Sequence, residues 1–233
     1  MSSEVVIHLR NLKIQQQKNL ILDDVNLQVT KGEFIYLVGK TGSGKSSLLR
    51  TLYRDIKLND GEGTIVGFDL HKIKTRRIPH LRRKLGIVFQ DFQLLTDRSI
   101  EDNLLFVMKA TGWKDKRKMK AQAKKMLEMV HLETKGYKMP HEISGGEQQR
   151  ASIARALVND PEVIIADEPT GNLDPETSEN ILKLLLEISQ KGKAVLIATH
   201  DHILMDKYPS RTLTCEGGKL TESGKYKMST PPS

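Results

Sequence analysis

The feature that most constrains this chain is a glycine-rich stretch between two ordered segments. Residues Gly39–Ser46 read GKTGSGKS and follow the continuous apolar run Phe34–Val38. Such a run predicts a strand that is buried on both faces, and the residues that follow, Ser46–Arg54, predict a helix. A strand that turns through glycines into a helix presents inward-pointing N–H groups and the positive end of the helix dipole, which suits phosphate groups.

Each part of this loop predicts a contact with a bound nucleotide. Lys45 brings a full positive charge to the β- and γ-phosphates, and the Ser46 hydroxyl is the expected Mg²⁺ ligand. The residues expected to bind the phosphates are Gly39, Lys40, Thr41, Gly42, Ser43, Gly44, Lys45, Ser46 and Ser47. A chance glycine-rich turn is the alternative, and the correct order of strand, loop and helix disfavours it.

Two adjacent carboxylates follow a second buried strand. Residues Val163–Glu168 read VIIADE, so Asp167 and Glu168 emerge where the strand ends. Ligands of open α/β sheets bind at this edge. We therefore predict that Asp167 holds Mg²⁺ and that Glu168 is the general base that activates water. The alternative is a solvated acidic turn.

A third segment, Ile143–Leu157, reads ISGGEQQRASIARAL. Ser144 and Glu147 form an S-x-x-E pattern, which predicts a capping box at a helix N-terminus. Capping does not explain Gly145 and Gly146, because glycine in a first turn lowers helix stability. Paired glycines at this position suit the close approach of a ligand to backbone N–H groups.

With these motifs in this order, residues 5–220 resemble the ATP-binding subunits of ABC transporters, whose signature is LSGGQ. The resemblance implies an ATPase that uses ATP and Mg²⁺ and acts as a homodimer. In that family the signature of one subunit, here Ser144, Gly145, Gly146 and Glu147, closes in trans on the ATP held by the phosphate loop of the other.

The resemblance also assigns roles to residues that would carry little weight alone. Gln90 lies at the Q-loop position and is expected to contact both ATP and Mg²⁺, together with the Mg²⁺ ligands Ser46 and Asp167. Asp174 ends the D-loop segment GNLD, and His200 matches the switch histidine that contacts the γ-phosphate. The implied catalytic residues are Glu168, His200 and Asp174.

Within the family, the stretches SGGEQQR, ADEPTGNLD and FQDFQLLTDRSIEDNL resemble the branch that contains FtsE, LolD and MacB, and FtsE above all. This implies an integral-membrane FtsX-like partner and a role in bacterial cell division. The alternatives are a LolD-like lipoprotein-release or other exporter ATPase, and a soluble DNA-repair or translation ATPase, for which the chain is too short.

The alternation of short apolar strands and helices predicts an α/β fold with a parallel sheet covered on both faces. The resemblance implies that this fold is a P-loop NTPase (RecA-like) core with an N-terminal antiparallel β subdomain and an inserted α-helical subdomain. We predict one domain over 1–220, with the core in 1–90 and 160–220 and the helices in 91–159. The polar tail 221–233 is predicted to be disordered.

Composition limits where such a chain can work. The net charge of +8 concentrates in Lys72–Lys84 and Lys114–Lys125, which suits an anionic membrane surface or nucleic acid, or else solvated helix faces. Aromatic residues are only 5% and no nucleic-acid-binding signature is present, so we expect no nucleic acid partner. With no apolar run of membrane-spanning length and a single cysteine, Cys215, we expect a cytoplasmic protein, peripheral on the inner face of the bacterial plasma membrane.

Recognition of the nucleotide base is the weakest part of the resemblance. The family places an aromatic residue shortly after the first strand, where this chain reads IQQQK at Ile14–Lys18. We therefore expect stacking on the base either to be weaker or to be supplied by an aliphatic side chain such as Ile14, with weaker discrimination between ATP and GTP.

Overall fold

The computed structural model describes residues 4–17 and 19–225. The strands in these ranges are β1 (Val5–Gln16), β2 (Asn19–Thr30), β3 (Phe34–Val38), β4 (Asp60–Ile65), β5 (Phe68–Asp69), β6 (Leu85–Phe89), β7 (Val163–Asp167), β8 (Ala194–Ala198), β9 (Arg211–Glu216) and β10 (Lys219–Lys225). The α-helices are α1 (Lys45–Leu52), α2 (Ile78–Arg83), α3 (Ile100–Ala110), α4 (Lys116–Met129), α5 (Gly145–Leu157), α6 (Pro175–Gln190) and α7 (His202–Lys207).

The central sheet has the strand order β10-β9-β3-β8-β7-β6. The strands from β9 to β6 are parallel, as predicted, while β10 runs antiparallel to β9. All five residues of β3 and of β8 are buried, which explains why both read as unbroken apolar runs. Because parallel strands end at one edge, the loops after β3, β6, β7 and β8 all emerge there.

Both faces of this sheet are covered, because alternate strand residues enter two separate apolar clusters. In β3, Phe34, Tyr36 and Val38 pack with the residues of α3–α6. Ile35 and Leu37 point the other way and pack with β1, β2 and α1. The period of two along a strand therefore separates the layers. The predicted α/β fold with a parallel sheet is confirmed.

The N-terminal strands form a second, antiparallel sheet in the order β2-β1-β4-β5. This agrees with the expected antiparallel β subdomain, in which β1 and β2 each run over 12 residues. Pairing of β1 with β2 shifts register between Leu9 and Leu12, and Asn11 and Asp24 adopt a positive φ. Such bulges break the alternation of apolar residues, so the pattern is readable only in parts of each strand.

Between β6 and β7 the chain is mainly helical, in agreement with the predicted insertion. α4 buries Met119, Ala123, Met126 and Leu127 along one side and exposes its lysines on the other. α5 belongs to the same stretch but packs directly against β6, so it joins the helical insertion to the central sheet.

The predicted disordered tail is wrong for its first five residues. β10 continues to Lys225 and pairs Glu222 with Leu213 of β9. The Glu222 carboxylate also accepts hydrogen bonds from Arg211 at 2.9 Å. This strand is polar and contains glycine, so its own sequence does not predict it; pairing with β9 creates it. The remainder of the tail, 226–233, lies outside the described residues.

Across the described ranges, every helix is too short or too polar to span a lipid bilayer.

Candidate functional site

A cleft of about 750 Å³ opens where β3, β7 and β8 end. It brings together several residues that the sequence singled out: Gly39, Lys40, Thr41, Gly42, Ser43, Lys45, Glu168 and His200. Its other lining residues include Thr199, His202 and the segment 214–217. Residues far apart in the chain therefore meet in one cleft because their strands are neighbours in the sheet.

The glycine-rich loop has the geometry of a phosphate cradle. Gly39 has a φ of 144°, and a Cβ there would lie 2.4 Å from the Cys215 carbonyl oxygen, so only glycine fits. Lys45 begins α1, and its Nζ donates to the Gly39 carbonyl oxygen at 2.7 Å. The Ser43 hydroxyl oxygen is buried with no hydrogen-bond partner among the described residues. The loop thus gathers an ammonium group and an unpaired hydroxyl, both of which suit phosphate oxygens.

Glu168 and His200 form a contact pair on the opposite wall of the cleft. Nδ1 of His200 lies 2.9 Å from Oε2 of Glu168, and the two side chains are 73% and 18% exposed, respectively. Glu168 has a φ of 49°, in the left-handed region that a glutamate rarely adopts. Its N–H donates to the Ala198 carbonyl oxygen at 2.9 Å, which holds this turn against β8. Strain that the surrounding structure maintains is typical of functional positions.

The expected Mg²⁺ ligands lie just beside the cleft rather than in its lining. Ser46 is in the first turn of α1, Asp167 ends β7, and Gln90 follows β6. Gln90 donates its amide N–H to Asn172 Oδ1 at 3.3 Å, which leaves the amide oxygen free to accept. A hydroxyl, a carboxylate and an amide oxygen form the all-oxygen set that Mg²⁺ prefers when it also binds phosphates. These residues fit the ion.

No group of three or more His, Cys, Asp or Glu side chains suited to a metal occurs in the part of the chain that the structure describes.

The signature segment begins α5 with the predicted capping box. Ser144 Oγ accepts from the Glu147 N–H at 3.3 Å, and Glu147 Oε2 accepts from the Ser144 N–H at 3.0 Å. The Lys135 ammonium donates to the other oxygen of Glu147. This contact is the main reason that the pKa of Glu147 is lowered. The Glu147 carboxylate is thus engaged within its own chain.

The two signature glycines differ in the space that surrounds them. A Cβ on Gly146 would lie 2.3 Å from Thr177 Cγ2, so this glycine permits the close approach of α5 to α6. A Cβ on Gly145 would meet Leu173 Cδ2 at 3.4 Å, an ordinary contact. The sequence interpretation, which gave both glycines to a ligand, is therefore incomplete: Gly146 is required by packing.

The signature and Asp174 do not line the cleft of their own chain. β3, which carries the phosphate loop, is separated from β6 by β8 and β7. Three strand spacings amount to roughly 14 Å, and α5 packs against β6 at the far side. Asp174 is exposed and caps α6, where its carboxylate accepts from the Thr177 N–H at 2.9 Å. The structure therefore does not bring Asp174 together with Glu168 and His200.

Base contact by Ile14 is wrong for this structure. Ile14 is only 1% exposed and faces the apolar cluster between the two sheets. The neighbouring Gln15 and Gln16 are the exposed residues at this position. The sequence pattern could have shown this, because Leu12 and Ile14 alternate with the exposed Lys13 and Gln15 and therefore share the inward side of β1.

Residues 22–171 match the sequence profile of the ABC transporter family. The chain belongs to the ABC transporter family. The cell division ATP-binding protein FtsE of Streptococcus pneumoniae is 41% identical over 216 residues, which cover 92% of this chain and 94% of that protein. FtsE of Mycobacterium tuberculosis is 43% identical over 210 residues, 89% and 91% of the two chains. FtsE of Escherichia coli is 42% identical over 202 residues, 85% and 89%.

Solved structures agree with this assignment. The ATP-binding cassette MJ0796, a dimer in a post-hydrolysis state with ADP and Pi bound, has a TM-score of 0.82 and 30% identity, and the match covers 95% of this chain and 100% of that one. CbiO1 of Clostridium perfringens, part of the cbiONQ transporter complex, has a TM-score of 0.87 and 27% identity, with coverage of 95% and 88%. As a member of the family, the chain is an ABC-type ATPase that binds ATP.

Three further polar residues of this ABC ATPase organise the loops around the cleft. Gln149 is fully buried and donates to the carbonyl oxygens of Phe89 and Pro169. Arg155 donates to the Phe92 carbonyl oxygen at 2.9 Å, and Asn172 Nδ2 donates to the Gln90 carbonyl oxygen at 3.2 Å. Gln149 alone leaves a sequence signal, because it shares a helix side with the buried Ile153 and is polar there.

Cys215 forms part of the cleft wall. Burial raises the pKa of its thiol to about 11, so the side chain is a neutral thiol at neutral pH.

Proposed function

We propose that this chain is the FtsE-like subunit of a membrane complex in cell division and that it couples ATP hydrolysis to an integral-membrane FtsX-like subunit. The relatives named FtsE cover most of its length and support this function over a LolD-like role in lipoprotein release. Because the partner spans the membrane, the chain would sit as a peripheral subunit at the inner face of the plasma membrane.

The cleft supports a defined set of chemical roles. The loop N–H groups and Lys45 hold the β- and γ-phosphates and offset their charge. Glu168 accepts a proton from the attacking water, and His200 fixes the Glu168 carboxylate and contacts the γ-phosphate. Ser46, Gln90 and Asp167 would hold Mg²⁺. When bound, this ion neutralises charge on the phosphate oxygens.

The observation that carries the proposal is the separation of the Ser144 turn from the cleft of its own chain. Gly145 and Gly146 carry the first backbone N–H groups of α5, a position suited to phosphate. Head-to-tail pairing of two chains would place each turn over the opposite cleft, as a homodimer with two composite sites. Solved cassettes at 30–31% identity that are dimers support this arrangement. In such a dimer Asp174 would lie between the two composite nucleotide sites.

Glu168→Gln tests the proposed chemistry. The amide keeps the size of the side chain but cannot accept the proton of water. We expect kcat to fall by a factor of about 10²–10⁴, the usual contribution of a general base, while ATP affinity is retained and an ATP-bound dimer accumulates. Steady-state kinetics and gel filtration with ATP measure both effects.

Glu187→Gln, an exposed residue of α6, is the matched control and should behave as wild type. Turnover by Glu168→Gln at the wild-type rate would remove Glu168 as the base.

A second cleft, of about 490 Å³, is the site that we propose for docking of the membrane subunit. It lies beside the Gln90 loop and is lined by Arg83, Phe89, Leu95, Phe106, Arg155 and others. Phe106 is 42% exposed, and the Arg83 Nε is buried without a partner among the described residues. An apolar cleft with an unpaired guanidinium suits a short cytoplasmic segment that carries a carboxylate.

Phe106→Asp tests this docking site. The added charge should abolish copurification with the membrane subunit while ATP binding stays unchanged, because the residue lies outside the nucleotide cleft. Tyr137→Asp, at a 73% exposed aromatic residue elsewhere, is the control and should copurify normally. Normal copurification of Phe106→Asp would exclude the cleft as the docking site.

We also propose the domain division 1–90 and 160–220 for the core and 91–159 for the helical subdomain. α3, α4 and α5 all lie within 91–159, which supports these limits.

A further inference from the structure

Gln149 is a buried polar residue that takes no part in the nucleotide chemistry described above. It lies on α5, five residues after Ser144, and is 0% exposed. Its Nε2 donates to the Pro169 carbonyl oxygen at 2.7 Å and to the Phe89 carbonyl oxygen at 3.3 Å. Pro169 follows Glu168 directly, and Phe89 precedes Gln90. One amide group therefore holds the backbone next to both the candidate base and the candidate Mg²⁺ ligand.

The oxygen atom of the Gln149 amide is evidence against a purely structural role. Gln149 Oε1 is buried and has no hydrogen-bond partner in the described part of the chain. An unpaired buried acceptor is unfavourable, and such groups call for an explanation. A methionine of similar length would fill the space without this penalty but could not donate to the two carbonyl oxygens, so its two N–H donors are what distinguish the glutamine.

The neighbouring glutamine shows how specific this arrangement is. Gln148 is half-buried and donates to the Ile143 carbonyl oxygen at 3.3 Å, a contact within its own turn. Gln149 instead spans from α5 to the ends of β6 and β7, which pair in parallel with Phe89 opposite Asp167. Arg155 holds the Phe92 carbonyl oxygen and reaches only the first of these loops. Asn172 also joins the two loops through Gln90, but it lies in the loop after β7 and not on α5.

We propose that Gln149 is a positioning residue that transmits closure of the Ser144 turn on one nucleotide to the Gln90 and Glu168 loops of the other site. The inference rests on the proposed dimer. Ser144 and Gln149 are on one rigid helix, so a movement of α5 that follows contact with the partner's nucleotide shifts the amide and both loop backbones together. Each chain would thereby adjust its own catalytic loops to the state of the opposite site.

Hydrogen exchange tests the link without turnover. In a Glu168→Gln background, ATP should drive dimerisation and slow amide exchange in residues 90–95. With Gln149→Met added, we expect the dimer to form and residues 39–46 to be protected as before, but exchange in 90–95 to be about fivefold faster, as expected for loss of one hydrogen bond. Gln148→Met is the control and should match the parent.

Kinetics supply a second readout in chains that retain Glu168. Gln149→Met should keep its melting temperature and its affinity for ATP, while kcat falls about tenfold and the Hill coefficient for ATP falls to one. In Gln149→Glu only the protonated carboxyl can donate to Pro169, so the ratio of its kcat to that of wild type should rise as the pH falls. This variant keeps the test open if the methionine variant does not fold.

The outcomes separate this inference from the proposed function. If the Glu168→Gln chain does not dimerise with ATP, the dimer is wrong and the role of Gln149 falls with it. If it dimerises and Gln149→Met leaves exchange in 90–95 and the Hill coefficient unchanged, the dimer stands and Gln149 only fills space.

Discussion

At the scale of single residues, Gly146 shows that a motif predicted to bind a ligand also has a packing role. The residue is buried beside Thr177, whereas Gly145 has room for a methyl group. The sequence marks both as glycines in a first turn and cannot separate them. Only the contact between α5 and α6, which are distant in sequence, assigns a packing role to one and leaves the other for the ligand.

Gly146→Ala should therefore destabilise the chain. The new methyl group overlaps Thr177 Cγ2, and overpacking of this kind costs about 1–3 kcal/mol. Urea denaturation of the purified chain measures the loss. Adding Thr177→Ser removes the methyl group that clashes and should restore most of the stability.

Gly145→Ala is the matched control, since its methyl group meets Leu173 at 3.4 Å. Its unfolding free energy should equal or exceed that of wild type, because alanine favours the helix more than glycine does. Equal destabilisation by the two alanines would contradict the packing role of Gly146.

At the scale of elements, α6 and α7 are joined by one carboxylate. Glu179 on α6 accepts hydrogen bonds from Lys207 at 2.7 Å and from Tyr208 at 2.6 Å, and it pairs with Lys183 at 2.8 Å. α7 follows His200, so this cluster anchors the segment that carries His200. Hydrogen bonds from Lys183, Lys207 and Tyr208 lower the pKa of Glu179 from 4.5 to about 2.

This shift predicts a pH dependence of stability. Because the folded state favours the ionised form, the contribution of Glu179 is complete above pH 4.5 and is lost as the pH falls towards 2. In Glu179→Gln the melting temperature should be lower near neutral pH and should fall less steeply with acidification through this window. Thermal melts at a series of pH values measure the difference.

Glu176→Gln, on the first turn of the same helix and exposed, is the control for this experiment. Parallel pH curves for Glu179→Gln and wild type would show that the cluster does not contribute.

At the scale of the whole molecule, the proposed dimer predicts complementation between two inactive chains. Lys45→Ala disables the phosphate loop and Ser144→Arg disables the signature. In a mixed dimer one site combines the intact loop of one chain with the intact signature of the other. With equal mixing, half of the dimers are mixed and half of their sites are intact, so up to about a quarter of wild-type ATPase activity should return. The return is smaller where the catalytic loops of the Ser144→Arg chain depend on its own Ser144 turn.

The control pairs two defects on the same side of the composite site. Lys45→Ala and Glu168→Gln both damage the half-site that one chain supplies in cis, so their mixed dimers contain no intact site and should stay inactive. Restored activity in this control, or none in the first mixture, would contradict a site built in trans.

The sequence by itself determined the phosphate loop, the carboxylates after β7, the capping box at Ser144 and the family. These are local patterns, in which a few consecutive residues carry both the backbone geometry and the chemistry. They are readable in the sequence because few other residues can replace glycine at a positive φ, or lysine and carboxylates beside phosphate and Mg²⁺.

Only the tertiary structure decided which residues meet. It placed Glu168 against His200, set Gly146 against Thr177 and let Gln149 reach two loops. It also formed β10 from a polar segment by pairing it with β9. Each of these outcomes depends on contacts between segments distant in the chain, so no stretch of sequence carries it alone.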